Sequence, residues 1–186
     1  MNDKEFIEDY IDRYKKSLIQ TDISNEIIEL KQLLLDVKQR NNKVIIAGNG
    51  GSAAMASHVC VDFTKQGGIR SVNFNEADLI TCFANDYGYE HWVAKAIEFY
   101  GNKGDLAILI SSSGNSKNMI NGAQTANNLG IDVATFTGFN IDNPLKKEGK
   151  INFWVDTKAY NIAENTHQIW LLMVCDLIIG KAEYSA

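Results

Sequence analysis

From residue 4 to residue 40, apolar residues recur three and four positions apart. Phe6, Ile7, Tyr10, Ile11, Tyr14 and Leu18 do so across residues 4–20, and Ile23, Ile27, Leu30, Leu34 and Val37 across residues 23–40. Each set makes one stripe with mixed charge opposite it, which predicts two amphipathic helices. After Lys43 the rhythm changes. Val44-Ile45-Ile46-Ala47 is a short apolar run that meets Gly48-Asn49-Gly50-Gly51-Ser52, and helical sequence follows to about Lys65. The arrangement returns downstream: Leu106 to Ile110 meets Ser111-Ser112-Ser113-Gly114-Asn115-Ser116, and helical sequence runs on to Leu129. Ile131–Thr137 and Ile151–Val155 read as further buried strands, with a weaker one near Ser71–Phe74. Helices are expected over His91–Tyr100 and from about Asn161 to Ile179, where Gly180 supplies a stop,. Short apolar strands alternating with helices predict an α/β fold: three αβα layers around a central parallel sheet, preceded by N-terminal helices. No linker divides residues 1–186, which read as a single domain,.

Composition narrows the function classes. Eighteen Lys and Arg against 23 Asp and Glu leave a net charge of −5, which argues against broad phosphate neutralisation on a nucleic acid,. The charged start, Met1 to Glu5, does not resemble a signal peptide, and the apolar run Ile169–Cys175 is too short to span a membrane,. Cys60, Cys82 and Cys175 form no C-x-x-C pair, and their sparse, odd count suits buried thiols in a reducing cytoplasm,. A soluble cytoplasmic protein is expected. Pro144 is the only proline, so nearly every loop N–H is free to donate,.

Those free donors matter at the two Gly/Ser loops. Both fall at carboxyl ends of strands and open helices, where unpaired N–H groups and the positive dipole end favour an anion. Ser111, Ser112, Ser113 and Ser116 add hydroxyls, and the Walker lysine is absent. This donor set suits a phosphomonoester better than a nucleoside triphosphate. The plainer reading of one such loop is a capped helix and a glycine turn; two loops at equivalent strand ends make it weaker. Gly48, Gly50 and Ala53 also satisfy a relaxed dinucleotide fingerprint, but Gly67 to Ser71 lacks the ribose-binding acid, so no nucleotide cofactor is expected,.

The two loops, with His58, Asn85-Asp86-Tyr87-Gly88-Tyr89 and Thr135-Phe136-Thr137-Gly138, resemble the sugar isomerase (SIS) family, whose fold is flavodoxin-like. Within that family the likeness is greatest to the phosphoheptose isomerase group and covers nearly the whole chain. The resemblance implies a homotetramer, with residues 1–41 packed between subunits and sites shared across them. It further implies that the serine loop, with Gly50 and Gly51, holds a sugar phosphate while Asn49, Ser52 and Asp86 face the sugar. Where the group carries His and then Glu four residues later, this chain has His58 and Asp62. Where its last helix shows Gln, His and a second His, this chain reads Glu164, His167 and Leu172.

Each remaining pair shares a helix face, His58 with Asp62 at i,i+4 and Glu164 with His167 at i,i+3. Two readings stay open. His58, Asp62 and Glu164 ligate a metal, zinc being the best match, or Asp62 or Glu164 acts as base and His167 as acid. The bland alternative makes them a core histidine, a solvated carboxylate and a helix ion pair. The expected activity is aldose–ketose isomerisation of a heptose phosphate through an enediol, feeding lipopolysaccharide or capsule synthesis. The rival is a non-catalytic SIS module that binds a phosphosugar or a protein partner, as the replication-initiator (DnaA)-binding relatives do.

Overall fold

In the computed structural model, which describes residues 2–184, five parallel strands form one sheet in the order β2-β1-β3-β4-β5. The strands are β1 (Val44–Gly48), β2 (Ser71–Val72), β3 (Leu106–Ser111), β4 (Asp132–Thr137) and β5 (Ile151–Trp154). Alternation along each strand divides the core in two. Val44, Ile46, Leu106, Ile108 and Ile110 face one layer, and Ile45, Ala47, Ala107 and Leu109 face the other,. The first layer is covered by α2 (Ser24–Gln39), α3 (Gly51–Lys65) and α7 (Tyr160–Ile179). The second is covered by α5 (Trp92–Tyr100) and α6 (Lys117–Asn128). The three-layer α/β fold expected from the sequence is therefore observed.

The two leading helices differ. Ile27, Leu30, Leu34 and Val37 of α2 are buried, whereas α1 (Asp3–Tyr14) buries nothing and leaves Phe6, Ile7 and Ile11 more than half exposed. The stripe expected to run to residue 20 leaves α-helical geometry at Lys15–Ile19, a π-helical turn. Two expectations in the middle of the chain need correction. The strand near Ser71–Phe74 shrinks to two residues, and an unanticipated helix, α4 (Ala77–Tyr87), follows it. No residue of α4 is fully buried; Leu79, Ile80 and Phe83 only lean on the core, so its stripe is short. Cys60 and Cys175 are buried as expected, but Cys82 on α4 is exposed. No described helix is long and apolar enough to cross a membrane.

At the amino ends of the central strands, Asp105 forms a buried polar knot. Its carboxylate, 1 % exposed, accepts from the Lys43 ammonium and backbone N–H, the Asn102 N–H and the Asn42 amide. Burial alone would raise its pKa, but these donors outweigh it and hold the group below the usual carboxylate range,. Asp105→Ala leaves the Lys43 ammonium, on a side chain only 11 % exposed, without its counter-ion. It should lower the unfolding free energy by about 3–5 kcal/mol, read as a shift in the urea midpoint at unchanged slope.

Candidate active site

The strand order reverses between β1 and β3. Chain leaving β1 turns toward β2, and chain leaving β3 turns toward β4, so a crevice opens between the two outgoing loops,. Backbone fit shapes the first loop. An ideal Cβ on Gly48 would lie 2.7 Å from Ser52 Cβ, and one on Gly51 would overlap the Glu164 carboxylate. Gly50 sits at φ +55°, outside the range of ordinary side chains,. In the second loop Gly114 (φ +67°) packs directly on the Asn143 side chain, with no room for a Cβ.

Between the loops lies a cavity of about 110 Å³ lined by Asn49, Ser52, Ile110, Ser111, Ser112, Ser113, Ser116, Tyr160 and Glu164. It is well below the few hundred Å³ of a typical organic-ligand pocket, and suits one small oxyanion or the phosphorylated end of a longer molecule. No lysine or arginine lines it. Its polarity comes instead from helix starts: α3 and α6 both begin at its rim, at Gly51 and Lys117, without a side-chain cap bond,. Ser111 Oγ donates to Ser116 Oγ at 3.0 Å, and Ser113 Oγ accepts from the Asn115 N–H at 3.2 Å. Ser112 Oγ is buried and has no protein partner. A polar atom in that state costs on the order of 1–3 kcal/mol, which a bound acceptor would return.

Asn49 is fixed by a reciprocal amide pair with buried Asn118, at 3.0 and 2.8 Å, and by Tyr89 Oη, which donates to its Oδ1 at 3.0 Å. Asn118, Tyr89 and Tyr160 escape a reading of the sequence. Tyr89 ends the Asn85–Tyr89 stretch, but Asp86, expected to face a sugar, is exposed and pairs with its neighbours Asn85 and Cys82. It does not line the cavity. Glu164, expected as a base or a metal ligand, does line it; burial raises its carboxyl above the usual range, and an incoming dianion would raise it further,.

The other expected residues lie elsewhere. His58 and Asp62 meet at 3.3 Å, and the Gln168 amide donates to His58 Nδ1 at 2.9 Å. That contact leaves the ring proton on Nε2, facing Asp62, so Gln168, His58 and Asp62 form a hydrogen-bonded row. His58 and Asp62 stand seven and eleven residues along α3 from Gly51, about 10 and 16 Å of helix, and Gln168 stands one turn after Glu164 on α7,. Glu164, packed against Gly51, lies one helical turn from Gln168 and not beside His58. Among the described residues no three His, Cys, Asp or Glu side chains gather into a metal-ligating group. The ligand set expected from His58, Asp62 and Glu164 is not assembled within one chain.

His167 also needs correction. It is fully buried, touching Phe136 and Trp170, and does not line the cavity. Nε2 donates to the Thr137 carbonyl at 3.0 Å, while Nδ1 has no partner. Burial lowers its pKa to about 4, although the Thr137 bond works against that shift. A neutral, enclosed imidazole is poorly placed to protonate a substrate.

Comparison with known proteins bears on this geometry. The SIS domain family model matches residues 8–138. Phosphoheptose isomerase of Helicobacter pylori (strain P12) is 30 % identical over 181 residues, covering 94 % of this chain and 92 % of the relative. That of Histophilus somni (strain 2336) is 32 % identical over 186 residues, covering 91 % and 94 %. Among solved structures, phosphoheptose isomerase GmhA from Neisseria gonorrhoeae superposes with a TM-score of 0.84 at 26 % identity, covering 94 % of this chain and 98 % of that one. A phosphoheptose isomerase from Francisella tularensis superposes at 0.88 and 22 % identity, covering 97 % and 100 %, and speaks for the fold alone.

The buried imidazole makes stability depend on pH. Unfolded, His167 takes up a proton near pH 6.5; folded, it refuses one until about pH 4, so acidification favours the unfolded chain,. Between pH 7 and pH 5 this one group should lower stability by about 2 kcal/mol. Urea melts of the wild type and His167→Phe check it: the variant should lose that part of the slope.

Proposed function

Since this chain belongs to the SIS domain family, we propose that it is a sugar-phosphate isomerase whose substrate is a seven-carbon ketose 7-phosphate, converted to the aldose through an enediol. The spacing of the two polar groups carries this reading. The cavity takes the phosphate; along the α3–α7 seam Gln168 stands about 6 Å beyond Glu164, and His58 about 10 Å beyond Gly51,. In an open seven-carbon sugar, five carbon–carbon bonds of about 1.5 Å and the phosphate ester put C2 roughly 8 Å from phosphorus. The reacting carbons then approach the His58 end of the row, where the Asp62 carboxylate folds back to 3.3 Å from Nε2, while the phosphate stays between the helix N-termini,. A three-carbon phosphate would not.

In this reading Asp62 is the base. It takes a proton from C1, the C1 hydroxyl proton passes to the C2 oxygen, and the proton on Asp62 returns to C2. His58 donates its Nε2–H to Asp62 and keeps the carboxylate aimed, while Gln168 fixes the ring,. Glu164, with its raised pKa, binds sugar hydroxyls next to the phosphate. The assembly is a homotetramer of single-domain subunits. Uncovered apolar side chains on α1 (Phe6, Ile7, Ile11) and α7 (Ile169, Met173, Leu177) support burial between copies, with residues 1–41 at the contact.

One observation favours a second reading, a phosphosugar-binding module without catalysis. Leu172 stands where the family has its second His, and His167 is enclosed in the core, so no imidazole lines the cavity. Incubation with ketose and aldose phosphates in heavy water separates the two readings. Conversion of ketose to aldose, or solvent deuterium at the carbon next to the carbonyl, requires an enzyme, and binding with neither requires the module.

Two sets of variants test the assignment. Ser113→Ala and Ser116→Ala should each weaken sugar-phosphate binding by about 1–3 kcal/mol, measured by calorimetry, because a charged acceptor loses a donor. Unchanged affinity in both would move the phosphate elsewhere. Asp62→Asn should lower turnover by about two to four orders of magnitude with phosphate affinity nearly intact, and Asp62→Glu should keep partial activity. If Glu164→Gln shows the larger loss and Asp62→Asn shows none, the base is Glu164 and the substrate is shorter.

A further inference from the structure

His167 is an expensive residue in its place. It fills a space between Phe136 and Trp170 that an apolar side chain of similar size could fill, and its Nδ1 is an orphaned acceptor,. What it supplies is one N–H, given to one peptide unit. That unit joins Thr137 to Gly138 and is a junction of three elements. Its carbonyl accepts from Val155 N–H after β5 at 2.9 Å and from His167 of α7 at 3.0 Å, and its N–H donates to the Ser112 carbonyl at 2.9 Å. Thr137 Oγ1 also accepts from Asn143, the residue on which Gly114 packs, and Leu145 N–H donates to the Gly114 carbonyl.

The segment needs this anchoring. Phe139 sits at φ +56°, a strained value for an aromatic residue, and a Cβ on Gly138 would meet three carbonyl oxygens within 3.4 Å,. On α7, Glu164 lies one turn before His167 and Tyr160 two turns before it, and both line the cavity opposite the serine loop. We infer that His167 is a positioning residue: by docking α7 on the Thr137–Gly138 peptide it sets the gap between Glu164 and the serine loop, and so the anion affinity of the cavity. The proposal rests on the phosphate-site reading above. Successive hydrogen bonds through one amide also polarise each other, so the donor from His167 strengthens the Gly138 bond to the loop.

The test compares wild type, His167→Phe and His167→Gln, using inorganic phosphate as the probe and amide hydrogen exchange by NMR as a readout that needs no ligand. His167→Phe should remain folded, bind phosphate at least tenfold more weakly and exchange the Gly138 amide at least tenfold faster. His167→Gln, which keeps a side-chain N–H, should return both to within about threefold of wild type. A purely structural role would lower the melting temperature and leave phosphate affinity and Gly138 exchange of the folded protein unchanged; that result overturns the proposal. If wild type binds no phosphate, the phosphate-site reading fails, and Gly138 exchange alone decides the role of His167. If His167→Phe does not fold, the wild-type imidazole decides. Its Nε2–H should exchange as slowly as the Gly138 amide, and exchange on the millisecond scale would overturn the inference.

Discussion

The reversal of strand order between β1 and β3 governs the rest of the molecule. Two adjacent parallel strands send their chains in opposite directions, so their carboxyl ends cannot be covered by a shared connection,. The helices that return along the sheet, α3 and α6, must each start at that uncovered edge. A parallel α/β sheet thus concentrates unpaired N–H groups where the surface is already concave. The glycines refine this result. Gly48 lets Ser52 close on the strand, Gly51 makes room for Glu164, and Gly114 lies flat on Asn143. Each supplies a close approach that any side chain would prevent.

The two ends of the sheet use polar groups differently. At the amino end, Asp105 has every donor it needs, and the cluster is sealed. At the carboxyl end, Ser112 Oγ and His167 Nδ1 are buried without partners, and Glu164 is pushed toward its neutral form. Satisfied buried networks rigidify a fold, whereas unsatisfied ones store free energy that a ligand or a neighbouring element can draw on. The strained Phe139 lies at the same end. Stability and binding capacity are therefore kept about one strand length apart.

Much of this was legible in the sequence. Apolar runs that each meet a Gly/Ser cluster and then a helix reveal parallel strands and mark both loops, because the strand period and the loop chemistry agree. His58 and Asp62 at i,i+4 meet as that spacing requires,. Glu164 and His167 show where spacing misleads. Three residues turn a helix about 300°, so the pair diverges by about 60°, enough for one to face the α3–α7 seam and the other the core. Gln168 completes the row on His58 instead. Helix α4 was missed because its stripe only leans on its neighbours, and Asp86 follows that helix outward while Tyr89, just past its end, turns back to Asn49. Tyr160 reaches the cavity from the first turn of α7, a position no local pattern distinguishes.

The absence of lysine and arginine from the cavity wall has a consequence for ionic strength. A cluster of cations attracts an anion over a Debye length, and dissolved salt weakens that attraction steeply. Amide dipoles and hydroxyls act only at contact, and around them this chain carries a net charge of −5,. An anion arriving at such a wall is met by short-range donors and not by a long-range field. The affinity of such a site rests on geometry within a hydrogen-bond length, and dissolved salt weakens it less than it weakens a cluster of cations. A halide offers these donors one acceptor atom where a tetrahedral oxyanion offers several, so the arrangement favours the oxyanion by the number of hydrogen bonds it can accept at once.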